Sequence, residues 1–508
     1  MNAGGPFIDL SRLSAAEKRQ LLARLLAEKA EFRPLSYAQW GMWFLNQLAP
    51  NSSAYNAGFA MRILSAVNPA AIEQLFQTLV HRHPTLRTTF ALRDGQLSQK
   101  IHPTTHFSLE RIDSAGADEA ILRDHVHHSL GRPFDLELGP LIRVTLFTRS
   151  ATDHVLLIAI HHIAFDGWSF WVLLDEFQRL CEGESMPPLE TSYADFVNWE
   201  RTMLAGPAGS QHRAYWEKQL AGKLPVLEWP VDRPRPPHQS YAGRALPFAL
   251  GEDVARRLKD RAATSGITPF MYLLAVYMLF LYRHTGQEDV IVGSPTTGRS
   301  RPEFAGMIGD FVNMIAFRAR VHDNLQFGDF LQEVRQVVLE ALEHQEYPFP
   351  LLVERIGSSR GAAHAPIFQA SFVFHKAQTA DRLSGLVSCT DQTTRFDCGE
   401  LRLGPYPISQ QAGQFDVTLE IADTGKQMTG ALKYDTALFE DMTATRMVAH
   451  FLQLLSASIA NPDRRIAELP MLTEGEMSWT ISANPHIENS ELPVKTELSE
   501  SGIDEFVF

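Results

Sequence analysis

An unbroken apolar run of strand length, Val155 to Ile160, is rich in β-branched residues and predicts a strand buried on both faces. His161 and His162 close it. Asp166-Gly167 then makes a turn, and Ser169 is the expected N-cap of a helix with Phe170, Leu173, Leu174, Phe177 and Cys181 on one stripe, stopping at Gly183. Strand neighbours point to opposite faces, so if the strand persists the two histidines cannot share a role.

Elsewhere the periodicity is mostly helical. Ser14-Ala-Ala-Glu17 is a capping box before Leu21, Leu22, Leu25 and Leu26, which predicts an amphipathic helix over about 14 to 30, ended by Arg33-Pro34. The aromatic-dense run Leu35 to Leu45 reads as a core helix rather than a ligand-lining one, and Ala70 to Val80 as a further helix. Tyr193-Ala-Asp-Phe-Val-Asn-Trp199 opens another. The prolines of Leu227 to Pro237 forbid helix and predict an extended connector, with a lobe boundary shortly before it. Thr268-Pro269 is an N-cap followed by proline at the first helical position, opening a strongly apolar helix to about Arg283 that Gly286 closes. Asp289 to Gly293 reads as a strand delivering Ser294 to Arg299 into a loop; Phe330 to Glu343 is helical, and Ile367 to Phe374 and Phe415 to Ile421 are strands. Asn484 to Phe508 sets six acidic residues against Lys495 with little periodicity, and disorder is expected there.

At 508 residues the chain exceeds what one core usually organises, so two lobes are expected. A net charge of −13 argues against nonspecific nucleic-acid binding. Cys181, Cys389 and Cys398 form neither a CxxC pair nor a disulfide framework, and the N-terminus lacks a signal pattern. The longest apolar run, around Phe270 to Phe280, is well short of the ~20 residues of a membrane span, so the expectation is a soluble, cytoplasmic protein. The patterns GxGxxG, GxxxxGK[ST] and HExxH are missing, which argues against nucleotide chemistry.

What remains is HHxxxDG, from His161-His162 to Asp166-Gly167, at the exit of a buried strand. The plainer reading is a structural pair of histidines bonded to nearby backbone. A metal site is weaker still, because no third ligand has a recognisable spacing.

Here the chain resembles the condensation domains of nonribosomal peptide synthetases, over roughly Pro34 to Leu469. Six motifs recur in order: Ser36-Tyr-Ala-Gln39 with Trp43; Arg82-His83 with Leu86-Arg-Thr88 and Phe90; His161 to Ser169; Tyr193-Ala-Asp-Phe196 with Trp199; Ile308-Gly-Asp-Phe-Val-Asn313 with Arg318; and His344-Gln-Glu-Tyr-Pro-Phe349. The chain departs from the family pattern at Gly41, usually arginine, at Pro84, usually glutamate, and at Met314, commonly threonine. A seventh, arginine-rich motif is reduced to Pro366-Ile-Phe-Gln369. These departures blur the donor subtype. The Gly-Met-Trp of residues 41 to 43 resembles domains that take acyl or polyketide donors.

The resemblance implies an α/β fold of two chloramphenicol acetyltransferase-like lobes in a V-shaped pseudo-dimer with a central tunnel. On this reading residues 1–33 are an N-terminal linker helix, 34–205 and 206–470 the two lobes, and 471–508 a linker with an acidic tail. It implies a monomer with no intrinsic cofactor and no metal, whose substrates ride on phosphopantetheine arms of donor and acceptor carrier proteins. Leu469 to Glu474 resembles the linker into an adenylation domain, so the chain is either free-standing or part of a longer assembly line.

By the same resemblance His162 faces the tunnel and accepts or orients the amine proton, while His161 packs. Asp166 is expected to pair across the lobes with an arginine, for which Arg299 is the candidate. Gly167 keeps the backbone clear of the tunnel. Trp168, Ser169, Asn313, Arg87 and Tyr347 are expected to shape the tunnel, Asn313 as a polar contact to an arm. An α-amine with a pKa of about 8 is roughly one-tenth neutral at pH 7. One base adds about 10²- to 10⁴-fold, so positioning is expected to be the larger contribution. Two alternatives share parts of this pattern: an acyltransferase taking coenzyme A thioesters and an alcohol, and a silent recruiting module.

Overall fold

The computed structural model describes residues 30–93, 95–356, 363–376, 393–408, 413–425 and 427–483. The expected helix over 14 to 30 and the acidic tail from 484 lie outside the described residues, apart from residue 30. In chain order the first half runs β1 (Glu31–Arg33), α1 (Tyr37–Leu48), β2 (Asn56–Ile63), α2 (Pro69–Arg82), β3 (Thr88–Arg93), β4 (Gln96–Ile101), β5 (Glu110–Asp113), α3 (Glu119–Leu130), β6 (Ile142–Ser150), β7 (Asp153–His161), α4 (Gly167–Cys181) and α5 (Tyr193–Ala205). The second half runs α6 (Pro207–Gln219), β8 (Gly243–Ala249), α7 (Glu252–Thr264), α8 (Pro269–Thr285), β9 (Asp289–Thr296), β10 (Asn313–Arg320), α9 (Phe327–Glu343), α10 (Phe349–Ile356), β11 (Ala370–Lys376), β12 (Phe396–Cys398), β13 (Leu401–Pro405), β14 (Val417–Asp423), β15 (Met428–Asp435), α11 (Asp441–Ala460) and α12 (Glu474–Ala483). The fold is therefore mixed α/β.

β7 is the spine of the first sheet, whose order is β12-β13-β2-β7-β6-β5. Its side chains alternate as the apolar run predicts. Leu156, Ile158 and Ile160 pack with α2 and α4 through Phe76, Leu173 and Phe177, whereas Val155, Leu157 and Ala159 pack with α3 through Leu122 and Val126.

The second sheet, β10-β9-β11-β14-β15-β8, lies on a separate core. At its centre is α8, opened by the Thr268 cap and Pro269 and closed by Gly286 at φ 69°. Every residue from Met271 to Leu281 is buried, as expected of a helix enclosed by its sheet and by neighbouring helices.

The lobes also exchange chain. After β11 the polypeptide returns to the first lobe, where β13 pairs antiparallel with β2, Leu403 opposite Ile63 and Pro405 opposite Met61. It then re-enters the second sheet as β14, parallel to β11.

Two expectations are corrected. Helix α4 is capped by Asp166 rather than Ser169: the Asp166 carboxylate accepts from the Ser169 amide at 2.7 Å, and the helix starts at Gly167. The aromatic run of α1 is not a core helix, because Gln39 is its one fully buried residue while Trp40 and Phe44 are 45% and 47% exposed and stack with each other at 5.9 Å. The helix is held instead by Met42 and Trp43 against the first lobe and by a close approach of Gly41 to Pro350, where an added Cβ would lie 3.0 Å from the proline ring. Glycine at 41 thus suits the contact with α10.

Candidate active site

The end of β7 divides the two histidines. His161 is the last strand residue and continues the α3 face, its ring 6.0 Å from Phe134 and its Nδ1 accepting from the Ile163 amide at 3.1 Å. Burial, with the neighbouring His162 and Arg143 charges, pushes its pKa down to about 3, so it is a neutral packing residue. At His162 the chain leaves the strand for a turn of 3₁₀ helix, which frees that side chain from the alternation. Its amide donates to the Tyr55 carbonyl at 2.8 Å, and its Nδ1 lies 3.4 Å from Oδ1 of Asp310. Burial alone would lower the His162 pKa, but the carboxylates of Asp310 and Asp166 and its own backbone carbonyl outweigh that and hold it above the ordinary value.

Asp166 and Arg299 meet as the resemblance implies, with Arg299 Nη1 2.6 Å from Asp166 Oδ2 and their side chains 2% and 0% exposed. The same Oδ2 accepts from the Phe311 amide at 3.0 Å, while Oδ1 caps α4. Arg299 Nη2 donates to Ser169 Oγ at 2.9 Å and to the Met307 carbonyl at 3.1 Å, and its guanidinium lies 4.0 Å from the centre of the Phe311 ring. Ser169 Oγ donates to the Gly309 carbonyl and accepts from its amide. Trp168 Nε1 donates to the Ala305 carbonyl at 2.8 Å. The first turn of α4 is therefore sewn to residues 305–311 of the second half of the chain.

Gly167 is exposed, and an added Cβ would meet no protein atom within 4 Å, so the space before it is open. Asn313 is committed to the protein: its amide donates to the Gln345 and Tyr347 carbonyls at 2.8 and 2.7 Å, and its oxygen accepts from the Phe349 amide at 2.8 Å. Both of its amide protons are used, which leaves only acceptor capacity for a substrate arm. Tyr347 is buried in the second core, and burial raises its pKa. Arg87 takes no part in these contacts; it donates to the His102 carbonyl and lines a cavity with Thr85, Gln99, Ser192 and Tyr193.

Two carboxyls emerge that the sequence pattern did not single out. Asp310 stands inside the quoted motif between Gly309 and Phe311, and burial raises its pKa against the opposing pull of His162 and Arg299. Glu200 of α5 accepts from the Tyr37 amide at 3.1 Å, and burial lifts its pKa to about 7. It lines a cleft between the lobes with Ala38, Trp199, Gly298, Phe311 and Glu346. The signal for Asp310 was available: a charged residue within an otherwise apolar segment needs a buried partner. Among the described residues no cluster of His, Cys, Asp or Glu could hold a metal ion. Among them, too, no single helix is long and apolar enough to cross a membrane.

The condensation-domain family profile matches residues 29–479. A linear gramicidin synthase of Brevibacillus parabrevis is 37% identical over 456 residues, 87% of this chain and 9% of that protein. Phosphinothricin tripeptide synthetase PhsC of Streptomyces viridochromogenes is 35% identical over 455 residues, covering 87% of this chain and 41% of that one. The chain thus spans only a small part of the length of these relatives. Among solved structures, holo-AB3403, a four-domain nonribosomal peptide synthetase bound to AMP and glycine, matches with a TM-score of 0.82 at 26% identity, over 88% of this chain and 34% of that one. The condensation domain from the monacolin K polyketide synthase MokA matches with a TM-score of 0.76 at 23% identity, over 86% of this chain and all of that one. With the family profile spanning nearly all of the described chain, and with relatives of this identity, the protein belongs to the condensation-domain family of nonribosomal peptide synthetases.

Proposed function

We propose that the protein joins a donor acyl or peptidyl thioester, carried on the phosphopantetheine arm of one carrier protein, to the amine of an aminoacyl acceptor on another, forming an amide. The carriers are separate domains or partner proteins, with an adenylation domain beside them. The two lobes, 34–205 and 206–470, the latter lending its strands 396–405 to the first lobe, form a V around a tunnel that the arms enter from opposite sides. The chain itself supplies no cofactor.

In the reaction the acceptor nitrogen attacks the thioester carbonyl carbon; the N–C bond forms, the C–S bond breaks, and the donor arm leaves as a thiol. His162 takes the amine proton on Nε2 and passes it to the departing thiolate. Asp166 and Arg299 do not touch the reacting atoms; they fix the turn that presents His162. Holding two tethered ends in near-attack geometry supplies several kcal/mol, more than the base itself.

The observation that carries this reading is the separation of the histidine pair: His161 is buried neutral against Phe134, while His162 leaves the strand beside an acidic partner from the other half of the chain. A loading assay tests it. Donors loaded on carriers or on coenzyme A are offered with amine or alcohol acceptors, and products are read by mass spectrometry. Amide formation from carrier-bound pairs is expected. Turnover confined to coenzyme A donors with alcohols would support the alternative acyltransferase instead.

A further inference from the structure

We infer that Asp310 is a positioning residue for His162, a carboxylate from the second half of the chain that holds the Nδ1 side of the imidazole so that Nε2 is presented to the acceptor amine. The inference rests on the proposed amide-forming reaction and extends it to a residue whose role has so far been only geometric.

The backbone around Asp310 is clamped on both sides. Gly309 exchanges two hydrogen bonds with Ser169 Oγ, and the Phe311 amide donates to Asp166, so the residues before and after Asp310 are tied to the first turn of α4. Tyr193 OH donates to the Asp310 carbonyl and contacts Ser36 Oγ at 2.9 Å. Gly309 packs so closely on Tyr193 that an added Cβ would lie 2.4 Å from its ring. The Asp310 side chain, 1% exposed, is thereby directed at His162.

Charge balance explains why a carboxylate stands there. Asp166 and Arg299 already neutralise one another through a paired contact, and the terminal nitrogens of Arg299 also donate to Ser169 and to the Met307 and Thr297 carbonyls. Arg299 Nε is buried without a hydrogen-bond partner, as are Asp310 Oδ2 and His162 Nδ1. Asp310 is thus a second buried carboxylate with no cation of its own until His162 is protonated. That happens when the imidazole takes the amine proton, so the negative charge of Asp310 favours the protonated form generated during the reaction. At 3.4 Å the contact is longer than a well-formed hydrogen bond, as is common before substrate draws a catalytic group into line. The other titratable groups facing the pair are Asp166, Arg299, His161, Tyr193 and Glu200.

The test uses the full chain and the variants Asp310→Asn and Asp310→Ser. Histidine-labelled protein is titrated by NMR, with the His162 resonance assigned from its loss in His162→Ala, and single-turnover condensation is followed across pH. In the wild type His162 is expected to titrate above an ordinary imidazole. In Asp310→Asn its pKa falls by about one unit, the rising limb of the rate profile moves to lower pH by the same amount, and the plateau drops roughly tenfold, with KM little changed. An unchanged His162 titration, or a shifted titration with an unchanged rate plateau, overturns the inference. If neither variant melts cooperatively, the wild-type titration decides alone: a His162 pKa at or below the ordinary value overturns it. The NMR readout needs no substrate, so a wild-type protein that forms no amide would defeat the proposed reaction separately from the role of Asp310.

Discussion

Arg299 reaches Asp166 at 2.6 Å across 133 residues of sequence, and both side chains are almost wholly shielded from water. Removing one partner of such a pair leaves an uncompensated buried charge, which typically costs about 3–5 kcal/mol. Asp166→Ala also uncaps α4. We expect it to lower stability by an amount in this range, read from urea unfolding, and Arg299→Met to behave similarly. The double variant Asp166→Ala/Arg299→Met is expected to lose clearly less than the sum of the two single losses. Strict additivity would mean that the two residues are not energetically coupled.

Glu200 gives the protein a pH-dependent stability contribution of definite sign. A carboxyl whose folded pKa, about 7, lies above its unfolded value near 4.5 contributes stability that is fully present below about pH 4.5 and lost as pH rises through 7. The loss amounts to about 3 kcal/mol at most. Glu200→Gln keeps an acceptor for the Tyr37 amide but cannot ionise. Urea unfolding at pH 5.5 and 8.5 should therefore show the variant gaining on the wild type as pH rises. A constant difference between the two proteins would contradict this.

Two glycines beside the site separate packing from substrate space. At Gly298, φ is +63° and an added Cβ would lie 1.7 Å from the Phe311 carbonyl oxygen, so Gly298→Ala must displace the loop carrying Arg299. A stability loss of about 2 kcal/mol or more is expected in thermal or urea unfolding. At Gly167 a Cβ meets no protein atom. Gly167→Ala should keep the wild-type melting temperature, within a few degrees, yet slow condensation at least tenfold if the open space before it holds substrate. A Gly167→Ala protein with normal turnover would place the substrate elsewhere.

The sequence disclosed most where local pattern and burial agree. Val155 to Ile160 is apolar at every position because both faces of β7 are covered by helices, so its strand character was legible in the residues alone, whereas the choice of His162 over His161 came from the family resemblance, since the strand ends at His161 and its alternation does not reach His162. Thr268, Pro269 and Gly286 bounded α8 for the same reason. The return of Leu401–Pro405 to pair with β2 left no local trace, since the partner lies more than 300 residues earlier and any short apolar strand could take that edge. Trp40 and Phe44 misled because aromatic density signals burial only on average. Ser169 looked like a cap by residue type, but its hydroxyl is used by Gly309 and Arg299, and Asp166, three residues earlier, takes the capping role.

The central claim is that His162 performs the proton step and His161 does not. Single-turnover condensation with carrier-bound donor and acceptor, measured for His162→Ala beside its melting temperature, tests it most directly. The account predicts a fall of about 10²-fold or more with the melting temperature within a few degrees of wild type. A well-folded His162→Ala protein with undiminished turnover would contradict it.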